Sequence, residues 1–585
     1  MHVSALVLIG FVFRATFITK GFNATDEGWL QSVGRRITLG EVPYRDFDFI
    51  FPPVSIYKEA ALQALLGDSY TMLVSRWVFV AEATLGSVLA YLIIRRFVGS
   101  RLAFLATLPT VLFSVLHYYF SNYTYDGEAL LLASVLLLVE ARPNRRWLAF
   151  AAGAAACGAT LSKPSFGAFV LLVPLIGVVG SKLNRRDIDS HPALVGIHRL
   201  WPLFLYGAAL TFGAVLALFA AVGAARQFLE AWFFGATQEI PQSLAFTIWQ
   251  DLPTAFSSDE VKLFGLVFAL LAIAALPKLT KLRWFVTLCV PVVLLVYSLK
   301  YLLVGGGFIP MAMGLLLVIN LAALLISLAV RTPYLRSGEL AEALRDRLPP
   351  PELIVLALAL QYLAQFTFSG IIYSYLGAYL SLPVAVLLLR GLSDVRLPNA
   401  RTAIASSLAM VAPVLFGAWI MFGSIEYVRY HVYFDAPRGQ LTAAFQTPKL
   451  AGIVSTPANV QRVDGVVTMV DRYSRPGDPI LVIPDFGCLY FLTDRVNPTR
   501  RDWMIEPDLA PSVVDSVLRD IEQRPPKVVF LQSVSEYDWS RSLRPEYVID
   551  YPNSRKARIY KYLLERYEQV ATVDDIAVLV PRGST

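Results

Sequence analysis

The sequence predicts a polytopic α-helical membrane protein that ends in a soluble α/β domain. Of its 585 residues, 56% are hydrophobic and only 16% are charged, and the mean hydropathy is +0.56. A soluble globular chain carries about 25% charged residues, so this composition favours a membrane protein. The net charge of +7 does not indicate nucleic-acid binding, because most Lys and Arg residues lie in short loops between apolar runs.

Apolar runs that can cross, or nearly cross, about 30 Å of hydrocarbon recur through residues 1–424. The first run lacks a basic n-region and a small-residue cleavage site, so we expect a retained span rather than a signal peptide. The sequence predicts about thirteen spans, at 2–18, 71–94, 102–119, 127–140, 147–161, 165–181, 201–223, 261–277, 284–303, 307–330, 352–369, 372–390 and 402–423.

The basic loops predict the orientation of these spans. If Met1 is cytoplasmic, six Arg- and Lys-rich loops all fall on the cytoplasmic side, as the positive-inside rule requires. An odd number of spans then places the C-terminal domain outside the cytoplasm. We therefore expect a multi-pass protein of the bacterial cytoplasmic membrane.

The first outer loop, 19–70, contains two further helical segments. Residues 53–67 are apolar but include Lys58 and Glu59, and counting them as a span would reverse every later loop. We interpret 53–67 and 28–40 as amphipathic juxtamembrane helices on the outer face.

Beyond residue 424 the apolar runs shorten and the charge rises. Segments 480–484 and 527–531 are typical of buried strands, and 511–523 and 557–569 are typical of amphipathic helices. These predict an extracytoplasmic α/β domain over 425–578, without a Gly-rich phosphate loop. Residues 579–585 contain a thrombin recognition sequence and are interpreted as an expression-derived tail.

Ionisable residues at the outer ends of spans are the candidate site, because burying them near lipid is costly without a role or a partner. Asp26 and Glu27 follow the first span, where Thr25 or Asn23 can cap a helix. Taken alone, this pair of acids has a simpler explanation, because carboxylates in the first turn of a helix cap it favourably. The same applies to Asp126 and Glu128 at the start of a later span, and to Lys163, which can snorkel to the headgroups.

Together, these groups suit a reaction on a lipid phosphate. The topology places Asp26, Asp126 and Lys163 on one membrane face. A cation there can neutralise a phosphate leaving group, while a carboxylate accepts the proton of an acceptor hydroxyl.

The order TDEGW, GEVPYRDFDFIFPPVSIY, YTYDGEALLL and TLSKPSFG resembles the GT-C superfamily of polyprenyl-phosphate-sugar-dependent glycosyltransferases. The likeness is to the bacterial branch related to protein O-mannosyltransferases and the lipid A aminoarabinose transferase. It covers residues 1–180 motif by motif, and PDFGCLYFLTDRVNPTR at 484–500 is similar to the C-terminal domains of such enzymes.

The resemblance implies a role for each matching residue. Asp26 corresponds to the carboxylate that serves as general base or orients the acceptor, with Glu27 as its companion and Asp126 as the second outer carboxylate. Lys163 corresponds to the lysine that faces the donor phosphate. The aminoarabinose branch has a further phosphate-binding lysine where this chain has Phe51 and Pro52. That role is vacant here or passes to Arg45 or Lys58, which argues against aminoarabinose transfer.

The implied reaction is a single inverting displacement at the anomeric carbon. One or two cations suffice for the phosphate leaving group without a metal. Some relatives bind a divalent cation, and Asp26, Glu27, Asp126 and Glu128 could supply its oxygen ligands, so both possibilities stay open.

Further contacts are expected around this centre. The aromatic outer loop 226–242, with Trp232 and Glu239, is either an interfacial anchor or a lid or sugar platform. Tyr373, Tyr375 and Glu128 are candidate acceptor or sugar contacts. Arg14 and Glu82, inside spans, are expected to be buried partners of other charged groups.

Two other classes of protein remain open. Thirteen spans could form a transporter or lipid flippase, although those proteins keep ionisable residues near the midplane and show repeated halves. A catalytically inactive glycan-binding subunit could share the fold. For a transferase, the expected partners are the bilayer, a polyprenyl-phosphate-linked sugar donor, and a glycan, lipid or protein acceptor; neither sugar nor acceptor follows from the sequence.

Overall fold

The structure is a computed structural model of the chain. It describes residues 1–113, 120–183, 192–232, 308–331, 347–365, 378–393, 402–430, 432, 435–484, 486–504, 511–532 and 557–583.

The described part of residues 1–430 consists of helices joined by turns and irregular loops. The long helices are α1 His2–Ala15, α2 Asp26–Thr38, α3 Val54–Leu66, α4 Met72–Ile94, α5 Ser100–Phe113, α6 Tyr123–Glu140, α7 Trp147–Thr160, α8 Gly167–Leu183, α10 Trp201–Ala221, α12 Phe308–Ala329, α13 Pro351–Gln365, α14 Ala378–Ser393 and α15 Thr402–Tyr430. Two short helices complete the set, α9 Val195–Arg199 and α11 Ala225–Glu230.

Helices occupy the predicted spans that fall within the described ranges, whereas the predicted spans 261–277 and 284–303 lie outside them. By length and composition alone, α4 and α10 are long and apolar enough to cross a membrane, and several shorter apolar helices accompany them. The total of thirteen spans therefore stays a prediction.

Helices α2 and α3, the two helical segments predicted within residues 19–70, pack on each other. A buried polar network joins them to α4. The Tyr70 hydroxyl lies 2.6 Å from Gln31 Oε1 and 2.5 Å from Glu59 Oε2, and donates its one proton to either of them, while Ser75 donates to Glu59 Oε1 at 3.2 Å. These buried contacts hold α2 and α3 in one orientation.

The C-terminal domain contains a four-stranded mixed sheet in the order β3-β4-β6-β5. Strand β3 is parallel to β4, β4 is antiparallel to β6, and β6 is antiparallel to β5. Its elements are α16 Pro457–Tyr473, β3 Ile480–Ile483, α17 Cys488–Thr493, α18 Pro511–Gln523, β4 Val528–Gln532, α19 Ala557–Arg566, β5 Tyr567–Val573 and β6 Ile576–Pro581, preceded by the short pair β1 Ala443–Ala444 and β2 Val454–Ser455.

The predicted strands and helices of this domain are present, with boundary differences. Helix α19 ends at Arg566 because Tyr567 begins the β5–β6 hairpin, whereas the sequence predicted helix to residue 569. The predicted boundary between the membrane part and the C-terminal domain, after residue 424, lies inside α15. Strand β6 continues past residue 578, where the sequence predicted the domain to end. Leu579, in the segment set apart as a tail, is buried and paired with Val529.

The C-terminal domain docks directly on α2 and on the segment that precedes it. Gly28 of α2 faces α17 so closely that an added Cβ would lie 2.0 Å from the Cys488 Cβ. Ser32 donates to the Gly487 carbonyl at 2.6 Å, and the Phe22 amide donates to Asp435 at 3.0 Å. The domain therefore covers the face of α2 that carries Gly28 and Ser32.

Candidate functional site

The candidate site begins with Lys58, which α3 directs towards Glu82 in the middle of α4 and Asp126 at the start of α6. Its ammonium forms an ion pair with Glu82 at 2.9 Å and also contacts Asp126 and the Ser121 hydroxyl. Burial lowers the pKa of Lys58, but the negative charges of Asp126 and Glu82 outweigh this and hold the pKa above its ordinary value. Lys58 is therefore a permanent cation between two carboxylates.

Asp126 lies in the first turn of α6 and is only 5% exposed. The helix is capped by Asn122, whose side-chain oxygen accepts from the amides of Thr124 at 2.9 Å and Tyr125 at 3.3 Å. Because Asn122 performs the capping, the Asp126 carboxylate can engage Lys58 instead.

Lys163 lies between α7 and α8 and is 2% exposed. Its ammonium donates to the Ala364 carbonyl of α13 and lies 5.6 Å from the centre of the Phe166 ring. Burial lowers the pKa of Lys163, and the negative Glu128 opposes that shift. Lys163 and Glu128 are therefore close enough to interact electrostatically.

Two contacts bring the Lys163 segment to the same place as Lys58 and Asp126. The amide of Val54, at the start of α3, donates to the Leu161 carbonyl at 3.0 Å. Phe166 packs against Gly127, where an added Cβ would lie 2.3 Å from the ring. The start of α3, the start of α6 and the α7–α8 connection thus meet at one end of the helices.

Asp26 and Glu27 lie in the first turn of α2, in different surroundings. Thr25 is the N-cap residue, and the side-chain oxygen of Asn23 accepts from the Asp26 amide at 2.6 Å. Glu27 is buried and accepts from Arg76 Nε at 2.6 Å and Nη2 at 2.8 Å. Arg76 also donates to the carbonyls of Ile18 and Gly21. The Glu27–Arg76 pair thus fastens α2 to α4.

The remaining expected residues are more scattered. Arg45 is exposed, pairs with Asp46 at 2.8 Å and donates to the Val222 carbonyl at 2.8 Å. Trp232 packs edge-on against Phe212, with ring centres 4.9 Å apart. Glu239, Tyr373 and Tyr375 lie outside the described residues.

The sequence analysis did not foresee that Ser121 joins this cluster or that Glu82 completes it. Glu82 was expected to be a buried partner of another charged group, and its partner is Lys58. The sequence does show a lysine, Lys58, in one apolar segment and a glutamate, Glu82, in another. Their spacing along the chain does not indicate that the two side chains meet.

A resident metal ion finds no ready ligand set here. Within the described ranges, no three His, Cys, Asp or Glu side chains come together as metal ligands. Both oxygens of Glu27 accept hydrogen bonds from Arg76, and Asp126 contacts Lys58. These contacts engage Glu27 and Asp126, two of the four carboxylates that were candidate ligands for a divalent cation.

Comparison with known proteins returns solved structures only. No family model and no curated protein matches the chain. The oligosaccharyltransferase of Archaeoglobus fulgidus, tethered to an acceptor peptide containing the NVT sequon, is 12% identical with a TM-score of 0.43, covering 90% of this chain and 68% of that chain. AglB from the same organism, in complex with an inhibitory peptide and a dolichol-phosphate, is 11% identical with a TM-score of 0.44. The match covers 100% of this chain and 74% of that chain.

ArnT from Cupriavidus metallidurans, bound to undecaprenyl phosphate, is 12% identical with a TM-score of 0.44, covering 100% of this chain and 98% of that chain. At such identities and TM-scores, an activity has to be argued from the residues of this chain.

Proposed function

We propose that this chain is a membrane glycosyltransferase that moves a sugar from a polyprenyl phosphate to an acceptor hydroxyl on the extracytoplasmic face, with inversion. The observation that carries the proposal is the meeting of Lys58, Asp126 and Lys163 at one end of the helices. A buried lysine, Lys163, and a partly buried one, Lys58, lie beside carboxylates and suit a phosphate that arrives on a lipid.

The lysines receive the donor phosphate. Lys163 is buried, and its hydrogen bond is to a neutral carbonyl, while the negative charge near it is that of Glu128. An arriving phosphate would therefore give the ammonium a second, stronger anionic partner. Lys58 is already neutralised by Asp126 and Glu82. It therefore serves the phosphate only if one of these carboxylates turns away, and otherwise it positions Asp126. Arg45, which is exposed, is a secondary phosphate contact from the solvent side.

Asp26 is the general base, and Asp126 is the second carboxylate of the site. The acceptor oxygen forms a bond to the anomeric carbon as the bond between that carbon and the phosphate oxygen breaks. The acceptor proton passes to Asp26, and polyprenyl phosphate departs with the electron pair towards Lys163. One displacement inverts the anomeric configuration. Glu27 holds the helix that carries Asp26 through its contact with Arg76.

The remaining candidates are assigned to the edges of the site. Trp232, Glu239, Tyr373 and Tyr375 are proposed sugar or acceptor contacts, and Glu128 supports the charge of Lys163. The polyprenyl tail lies between apolar helices, and the acceptor arrives from the side of the C-terminal domain.

The test is release of free polyprenyl phosphate by protein in lipid nanodiscs, from a panel of polyprenyl-phosphate sugars with membrane extracts as the acceptor source. Parent protein is compared with Lys163→Ala and with Arg146→Ala, an exposed arginine that precedes the start of α7, whereas Lys163 follows its end. We expect release from one donor, at least 10-fold slower in Lys163→Ala and unchanged in Arg146→Ala. Equal rates in all three proteins, or release from no donor, would refute the proposal.

A further inference from the structure

One loop of the C-terminal domain is locked onto α2 by buried polar contacts. Arg36 is buried and donates from Nη1 to the Thr499 carbonyl at 3.0 Å and to Asp502 at 3.2 Å. Asn497 donates to the same Asp502 oxygen at 2.8 Å. A buried arginine with two anchors in one loop fixes the position of that loop.

The locked loop presents Trp503 to the start of α2. Its indole stacks on that of Trp29, with ring centres 4.2 Å apart and planes inclined by 26°. Trp29 is buried, whereas Trp503 is only half-buried. Because Trp29 lies one helical turn after Asp26, the C-terminal domain places a large, partly exposed aromatic surface one turn from the proposed base.

Polar groups able to hydrogen-bond hydroxyls accompany this indole. Asp48 is 37% exposed and accepts from Arg500 at 3.0 Å, while Arg501 lies 3.3 Å from its other oxygen. The next residue, Phe49, packs against Trp29 with ring centres 5.2 Å apart. An aromatic surface beside a partly exposed carboxylate and guanidinium is a combination that suits a sugar ring, with its apolar C–H face and polar rim.

Further ring contacts lead from Trp503 towards the lysines. Trp29 meets Phe51 at 5.8 Å between ring centres, and Phe51 stacks on Tyr123 at 4.1 Å. Tyr123 precedes Asp126 by one helical turn. Trp503 thus lies at one end of this series of ring contacts, and Lys58 and Asp126 lie near the other end. An acceptor would approach from the end that carries Trp503.

We propose that Trp503 is a specificity-determining residue that stacks on the acceptor, and that the acceptor is a glycan presenting a pyranose ring. The inference rests on the proposed function and names the substrate class of the same site. A peptide acceptor bound by strand addition is less suited to this face. Strand β3 is an edge strand, but Val496 already occupies part of it, accepting from the Ile480 amide and donating to the Asp478 carbonyl at 3.1 Å each.

The experiment separates the acceptor from the donor. Protein in nanodiscs is given the donor identified above, first with water as the only acceptor. It is then given a mixture of gluco-, manno- and galacto-oligosaccharides, or serine- and threonine-containing peptides. The variants are Trp503→Ala, Trp503→Phe and, as a control, Trp147→Ala, whose indole is 66% exposed near the opposite face.

We expect oligosaccharides, and not peptides, to accelerate release by the parent. Trp503→Ala should raise KM for the oligosaccharide about 10-fold, Trp503→Phe should restore most of it, and Trp147→Ala should match the parent. Slow release to water by the control variant Trp147→Ala should equal that of the parent. An unchanged KM in Trp503→Ala, or acceleration by peptides alone or by neither probe, would overturn the inference. Absence of any release by the parent would instead remove the proposed function, and this inference with it.

Discussion

Replacing Arg76 by methionine removes the cation that neutralises Glu27, and the cost can be estimated from the structure. The two side chains are 0% and 1% exposed, and two hydrogen bonds of 2.6 and 2.8 Å join them. Breaking a buried pair from one side costs about 3–5 kcal/mol, because the remaining charge stays buried without its partner. The carbonyls of Ile18 and Gly21 also lose their donor. We therefore expect a loss at the upper end of this range.

The same geometry predicts a pH dependence. Burial raises the pKa of Glu27 above its ordinary value, and Arg76 opposes the rise. In Arg76→Met the opposing charge is gone, so the pKa rises further. A carboxyl whose pKa is higher in the folded state takes up a proton on folding, so stability falls as pH rises from its unfolded pKa through its folded pKa. The defect should therefore be smaller at pH 5 than at pH 8.

The assay is the midpoint of heat unfolding in nanodiscs, measured for Arg76→Met, Glu27→Gln, the double variant and Arg95→Met. Arg95 is an exposed arginine that follows the same helix and serves as the control. The double variant should lose less than the sum of the single variants, by about 2 kcal/mol. Additive losses, or an Arg76→Met defect that is equal at pH 5 and pH 8, would refute the reasoning.

Three further predictions follow from single contacts. Gly28→Ala should loosen the docking of the C-terminal domain, because its Cβ would lie 2.0 Å from the Cys488 Cβ; faster proteolysis of that domain in the intact protein would show this, and parental resistance would contradict it. Asp502→Asn should weaken the buried contact with Arg36 by about 1.5–3 kcal/mol and lower the midpoint of heat unfolding. An unchanged midpoint would show that this contact does not hold the loop on α2. Burial lowers the pKa of Lys163, so this lysine should lose its charge at a pH at which an ordinary lysine is still charged, and KM for the donor should rise there. Lys163→Arg should abolish that rise. A rise of KM with pH that persists in Lys163→Arg would assign the titration to another group.

The helices could be predicted because apolar composition along the chain is a local property. The outer helix predicted at 53–67 is Val54–Leu66, and the predicted helix 511–523 is Pro511–Gln523. The strand predicted at 480–484 ends one residue earlier, at Ile483, and the strand predicted at 527–531 is displaced by one residue, to Val528–Gln532. The end of α19 was wrong because pairing between β5 and β6 outweighs the amphipathic helical pattern that continues past Arg566.

The partners within the candidate site could not be predicted in the same way. Lys58 meets Asp126 across 68 positions of sequence, and Trp29 meets Trp503 across the whole membrane part of the chain. Such contacts depend on how helices pack, which one sequence does not encode locally. The motif at 484–500 was singled out, but the role of the following Asp502 and Trp503 emerges only when the C-terminal domain is docked on α2.

The most direct test of glycosyl transfer at this site is a single-turnover measurement with Asp26→Asn. Enzyme in excess over a radiolabelled polyprenyl-phosphate sugar is mixed with acceptor, and free polyprenyl phosphate and glycosylated product are quantified together. Asp68→Asn, an exposed acid in the same outer loop, is the control. The account predicts equal amounts of both products from the parent and Asp68→Asn, with transfer at least 100-fold slower in Asp26→Asn. Parental transfer by Asp26→Asn would contradict the assignment of Asp26 as the base, and product without matching polyprenyl phosphate would contradict the reaction itself.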